Sequence, residues 1–428
     1  MSPRWPKNLG PTGLTRAIRR MFVSLRNRNF RLYFIGQLIS NTGNWLTNVA
    51  LVLLVLKLTG SGLDVGLMAA CQFGPILLLS AWAGAIADRS DKRHLLLVTQ
   101  SLEMTQSIAL AVLAFLPHTS LGGLYALAVF GGILLAFDNP LRRSFVSEMV
   151  RSEDLPNAVV LYSTTVNVSR IFGPALAGLL VVTLGFGWCF TIDAVTYLAV
   201  LLCLYLMQPA ELHREPPKPR TKGEVRAGVR YVLSMPSLWI SFVMLAAIGT
   251  LSYNFNVTIP LLVHAALRRN DVVYTILYAV FSFGAVVGAM VVAQRSLVRM
   301  GHVVFGALAL GLTMLLLAFV PGVDTAVPAV FFVGIASVLY STATTTMVQI
   351  ETRADMRGRV LSLQTVLLMG TTPIGGPLLG WLADATGGRT PIILGGVVCL
   401  LAALFGYYAA RRHLPRSIQA SDGAKLLG

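Results

Sequence analysis

Four ionisable side chains fall inside stretches that are otherwise apolar: Glu103, Asp138, Asp193 and Arg170. A carboxyl group that alternates between water and a low-dielectric surround takes up and releases a proton as its exposure changes, so acids placed this way suit a proton-coupled cycle. Glu103 is the first choice for that role, about eight residues or roughly 12 Å into its stretch. Its structural alternative is a partner for Gln100 and Gln106 or for Arg170. Asp138 stands four residues before Arg142, the spacing of a local helical ion pair. Asp193 reads either as a proton carrier or as an acid snorkelling to the outer membrane face. Arg170 is the only base inside an apolar stretch and needs an acid, a carbonyl cluster or water; Glu103, Asp138 and Asp88 are the acids on offer.

A second set of polar groups could bind a ligand. Gln37, Asn41, Asn44 and Asn48 recur at steps of four, three and four, which puts four amides on one helical face. Amides in hydrocarbon must find partners or line a wet cavity, so the stripe faces either a substrate or a neighbouring helix, the fifth span being the candidate. Tyr253 and Asn256 echo Trp45 and Asn48 some 200 residues on, and Tyr340 and Ser341 lie on a polar side that also holds Ser337, Thr344 and Thr345. Aromatic and amide groups together suit a large amphipathic ligand, whereas the hydroxyls can also bond back to their own helix.

The elements that would position these groups follow from composition. A chain of 428 residues that is 55% hydrophobic and 12% charged, with mean hydropathy +0.71, cannot bury its apolar surface in one soluble core. Apolar runs of membrane-spanning length lie at about 32–56, 65–87, 95–116, 121–141, 160–184 and 187–207, then at about 238–263, 273–293, 302–320, 327–348, 361–383 and 391–410. The expected fold is an all-α membrane protein of twelve transmembrane helices in two six-helix bundles related by a pseudo-two-fold axis. A basic segment 1–31 precedes the first bundle (32–208), a Pro-rich linker 209–237 joins it to the second (238–410), and a tail 411–428 follows. The first run is too long for a signal-peptide core and reads as an uncleaved span.

Of the 34 Lys and Arg, only Lys57, Arg268, Arg269 and Arg389 fall on the side opposite the linker, and only Arg170 within a span. This bias places both termini and the linker in the cytoplasm of a plasma-membrane protein and accounts for the pI of 10.2 without a nucleic-acid partner. The four cysteines lie inside apolar runs and the six histidines form no metal pattern, so no metal or cofactor is expected. No Ser-His-Asp grouping, HExxH or phosphate-binding Gly-rich Lys loop occurs, which argues against an enzyme and against ATP-driven transport.

Charge returns in one short place, GAIADRSDKRH (84–94), between the second and third runs. It resembles the signature loop of the major facilitator superfamily, with Gly84, Asp88, Arg89, Lys92 and Arg93 matching; Ile86 and Asp91 depart from the pattern. SRIFGPALAGLL resembles the antiporter motif of the fifth span, with Gly173, Pro174 and Gly178 in place and Ala177 where a glycine is usual. Together with LISNTGNWLTNVAL, AFDNPLRRSFVSEMV and FTIDAVTYL, these phrases resemble the drug and siderophore exporter branch of that superfamily.

The resemblance implies a proton-driven exporter of amphipathic small molecules, working by alternating access, with membrane lipids around a functional monomer. It also implies that the 84–94 loop latches the halves on the cytoplasmic side, that spans 1, 4, 7 and 10 surround the cavity, and that spans 2, 5, 8 and 11 form the moving interface. A lipid or nutrient uniporter or importer of the same fold, or a membrane receptor without transport, are the alternatives.

Overall fold

A computed structural model of the chain describes residues 22–87, 90–213, 224–293, 299–353, 356–369 and 371–413. Among the described residues twelve helices are long and apolar enough to cross a membrane: α1 (Arg28–Thr59), α2 (Gly62–Ala87), α3 (Lys92–Phe115), α4 (Leu121–Met149), α5 (Leu155–Thr183) and α6 (Phe186–Tyr205) form one bundle. The spans α7 (Pro236–Ala266), α8 (Asp271–Ala293), α9 (Met300–Ala318), α10 (Val323–Glu351), α11 (Arg357–Thr386) and α12 (Thr390–His413) form the other.

Local chemistry sets the ends of these helices. The Asn27 side chain accepts from the amides of Asn29 and Phe30 to start α1, and Gly60, at φ +66°, stops it with its N–H on the Leu56 carbonyl. Asp91, a departure from the signature pattern, has a local use: its carboxylate caps α3 by accepting from the His94 amide at 3.1 Å. The Ser120 hydroxyl does the same for α4.

Two spans are built from more than one helix. In α7, Pro236–Leu251 is followed by a turn at 252–254, then Phe255–Leu261 and a π-helical turn Leu262–Ala266. In α11, Arg357–Met369 is followed by Thr372–Thr386, whose first turn carries Pro373. That proline starts a helix, where its missing N–H costs nothing, and does not bend one.

Each bundle packs its own helices closely, and the two bundles meet chiefly through α2 against α11 and α5 against α8. The GAVVG run of α8 does not take part: Gly284 and Gly288 lie against the backbone of Phe331 and Ile335 in α10, inside the second bundle. The linker helix Glu224–Ser234 packs its Val232 with Leu238, Phe242, Val348 and Val360, so it rides on the second bundle.

Candidate functional site

The helix α4 runs two turns past the end that its apolar run suggests, which carries Arg142 inside the bundle at 5% exposure. By sequence Arg142 counts among the bases of the loop after the fourth span; in the structure it is the hub of a buried polar cluster. One Nη donates to Gln37 Oε1 at 2.8 Å and to Asn41 Oδ1 at 2.6 Å, the other to Glu103 Oε2 at 3.2 Å, and Nε pairs with Asp138. Gln100 Nε2 bridges the two acids, donating to Asp138 Oδ1 at 2.7 Å and to Glu103 Oε2 at 2.9 Å, and Thr99 adds a bond to Asp138 at 3.2 Å. Two carboxyl groups thus share one guanidinium, away from solvent.

Asp193 stands apart from that cluster and does not snorkel. It is buried between α1, α3 and α6, where Oδ2 accepts from the Thr47 hydroxyl at 2.8 Å and the Ser107 hydroxyl at 2.7 Å. Among the described residues no base is ion-paired with it.

The amide stripe of α1 is divided among its neighbours. Gln37 and Asn41 turn to Arg142 on α4, Asn44 donates to the Tyr197 hydroxyl of α6 at 3.3 Å, and Asn48 is half-buried. The bond from α1 to α5 is made by Thr42 instead, whose hydroxyl donates to Ser169 Oγ at 3.1 Å.

Asp88 lies outside the described residues, and Arg170 is ion-paired with neither Glu103 nor Asp138. Its guanidinium lies 5.5 Å from the ring of Trp45 on α1 and 5.5 Å from that of Phe281 on α8, beside the Tyr278 side chain. Because α5 packs against both α1 and α8, Arg170 sits at the junction of the two bundles.

In the second bundle the interruption of α7 places Tyr253, Asn254 and Asn256 together. Tyr253 donates its hydroxyl to the Ser337 carbonyl of α10, its ring 6.2 Å from that of fully buried Tyr340. Asn256 accepts from the Tyr278 hydroxyl, and Ser341 bonds back to the Val338 carbonyl at 3.4 Å, the local option open to a helical hydroxyl. Unwound backbone with amide and phenol groups at mid-span is a common setting for a binding site in transporters.

The signature loop divides. Asp88 and Arg89 lie outside the described residues. Lys92 pairs with Glu148 of α4, and Arg93 donates to the Leu204 and Tyr205 carbonyls at the end of α6, so both act within the first bundle. Among the described residues nothing stands within 4 Å of a Cβ built on Gly84. The α5 motif does lie at interfaces: a Cβ on Gly173 would meet Trp45 and the Thr42 carbonyl of α1, one on Gly178 would meet Thr275 of α8, and Pro174 is buried beside them.

A close approach of the two bundles falls on α2 and α11, two of the spans that the resemblance puts at the moving interface, but the residues that make it were not picked out from the sequence. Gly62 and Gly66 of α2 pack against Gly376 and Gly380 of α11, backbone on backbone. Asp384, one turn further along α11, accepts from the amides of Gly62 at 2.6 Å and Leu63 at 2.9 Å and from the Ser61 hydroxyl at 2.9 Å. It therefore caps a helix of the other bundle, favoured by the positive end of the helix dipole. The spacing Gly-x-x-x-Gly in both spans is the signal that could have found it. These contacts lie at the end opposite the linker, because α2 begins and α11 finishes there.

Replacing Asp384 by Asn removes charge from this cap. The expected result is a rise of about fivefold in the population separated at this end. Labelling of a cysteine placed at Thr275, in a background without the four native cysteines, measures it. Unchanged labelling would remove Asp384 from the closure.

Two six-helix bundles joined by a linker and meeting through paired helices at one end define a major facilitator transporter, an integral multi-pass membrane protein. The chain belongs to the transmembrane secretion effector family, which matches residues 20–423. It is 24% identical over 406 residues to the staphyloferrin A transporter of Staphylococcus aureus, covering 92% of this chain and 98% of the relative. It is 27% identical over 409 residues to the enterobactin exporter EntS of Escherichia coli O157:H7, covering 92% and 96%.

Among solved structures it resembles a POT family transporter in complex with 5-aminolevulinic acid, with TM-score 0.75, 14% identity and coverage of 91% and 97%. It also resembles a bacterial homolog of the human lysosomal transporter Spinster in an inward-facing, unoccupied conformation, with TM-score 0.72, 16% identity and coverage of 90% and 98%. At these identities the solved structures speak to the fold alone.

Proposed function

We propose that this protein is a secondary exporter of amphipathic small molecules of the siderophore kind, working as a proton antiporter in the plasma membrane. The names of its relatives support the cargo class, and the distribution of Lys and Arg supports a cytoplasmic linker and termini. On that orientation the contact of α2 with α11 closes the outer side.

The observation that carries the coupling is the buried cluster of Arg142 with Asp138 and Glu103. With both acids ionised it holds one negative charge too many, and one bound proton makes it neutral. Because Arg142 also holds Gln37 and Asn41 of α1, a change in its carboxyl partners is felt on the helix that the family places at the cavity. Asp193 of α6 offers a third buried carboxyl, held to α1 through Thr47.

Efflux from proteoliposomes with and without an imposed proton gradient tests the reading, using wild type and Glu103→Gln. The variant is expected to lose about tenfold or more of gradient-driven efflux while keeping exchange of cargo for cargo. Equal gradient-driven efflux by both would overturn the coupling assignment, and inward accumulation with the gradient would replace export by import.

A further inference from the structure

Arg170 is not needed by the proton cluster, yet a guanidinium at mid-span is costly to keep. Among the described residues no carboxylate is ion-paired with it, and its Nε is buried without a hydrogen-bond partner. Its planar fork has five N–H donors, and the Tyr278 hydroxyl beside it, which already donates to Asn256, cannot satisfy them all. The Trp45 and Phe281 rings lie 5.5 Å from the guanidinium carbon and offer it no hydrogen-bond acceptor, so Nε is left unsatisfied.

The guanidinium can be reached. Ser163, Asn167 and Arg170 share one face of α5, and Val160, Ser163 and Thr164 are exposed on the side of the linker, whereas beyond Arg170 the bundles close through Gly178 against Thr275. A molecule entering from the linker side and moving along α5 arrives at Arg170 last, where three aromatic rings from both bundles converge.

We infer that Arg170 is the anion subsite of the cargo cavity, taking a carboxylate of an amphipathic cargo while half-buried Trp45 lies beside it for the flat apolar body. Carboxylate and guanidinium match in a bidentate pair, which a neutral cargo cannot form. The inference rests on the export reading and adds a charge requirement to it. It also supplies a trigger: Tyr278 and Phe281 belong to one bundle and Arg170 to the other, so a carboxylate that claims the guanidinium loosens a contact that ties the bundles together. For export from a negative cell interior, an anionic cargo moves with the membrane potential.

The test uses the full-length transporter in lipid nanodiscs and two fluorescent aryl amphipaths that differ only in ending in a carboxylate or its methyl amide. Wild type is expected to bind the acid about tenfold or more tightly than the amide, Arg170→Lys to keep part of that preference, and Arg170→Met to lose it. Equal affinity of wild type for the two probes, including failure to bind either, overturns the inference, as does a preference that survives in Arg170→Met. Gradient-driven efflux of the amide in proteoliposomes is read separately: if it persists in Arg170→Met, the export reading stands whatever the fate of the anion subsite.

Discussion

Replacing Arg142 by methionine is expected to stop gradient-driven transport and to loosen the first bundle. The change leaves Asp138 and Glu103 facing each other without their counter-ion and takes the donor away from Gln37 and Asn41. Removing one partner of a buried ion pair costs about 3–5 kcal/mol, because the remaining charge stays desolvated. Thermal unfolding of the purified protein reads the stability, and efflux from proteoliposomes reads the transport. The double variant Arg142→Met with Asp138→Asn removes one of the stranded acids, so it is expected to recover much of the stability and none of the coupling. Recovery of both would make the cluster a structural brace, and normal gradient-driven transport by Arg142→Met alone would take it out of the mechanism.

The second large effect is expected from Gly66→Val. A Cβ at this position would fall onto the Gly376 carbonyl and within 2.7 Å of Pro377 Cα, atoms of backbone that cannot turn aside as a side chain would. The two helices must then part, and the cap that Asp384 places on Gly62 and Leu63 is lost with the approach. On the proposed orientation the outer side can no longer seal, so a cysteine at Thr275, buried behind Gly178 in the present conformation, becomes open to a membrane-impermeant maleimide from outside. Transport is expected to fall about tenfold or more, since alternating access needs both closures. Gly74→Val on the same helix is the control, because nothing lies within 4 Å of a Cβ there. If Gly66→Val transports and labels like the control, the α2–α11 approach is not the outer seal.

Both effects start from residues whose partners lie far away in the chain, which is also where reading the sequence stops. Arg142 looks like a loop base because the apolar run of the fourth span ends near Leu141, but the helix continues to Met149 and a neighbouring acid awaits it one turn back. Glu103, Asp138 and Asp193 are recognisable as buried acids from hydropathy alone. That two of them share one base while the third is held by hydroxyls depends on how α3 and α6 are rotated. Arg170 is equally visible as a lone base, yet its surroundings are aromatic and come from α1 and α8.

The stripe on α1 shows the limit in one element. Steps of four, three and four do place Gln37, Asn41 and Asn44 near one face, but α4 and α6 flank that face from two sides and divide it between them. Likewise Gly84 and the glycines of α8 carry no mark that tells an interface between bundles from packing within one. The first is open and the second are inside a bundle.

By itself the sequence determined that this protein lives in a membrane, that twelve helices cross it in two similar sets, and which few polar groups are too costly to be there without a use. Those properties follow from hydropathy and length, which are local sums along the chain. Which polar group meets which, and at which end the bundles close, was decided only by tertiary structure. In hydrocarbon the partner of a charge is whatever the rotation and depth of a neighbouring helix bring within about 3 Å, and neither is written in the chain's own periodicity.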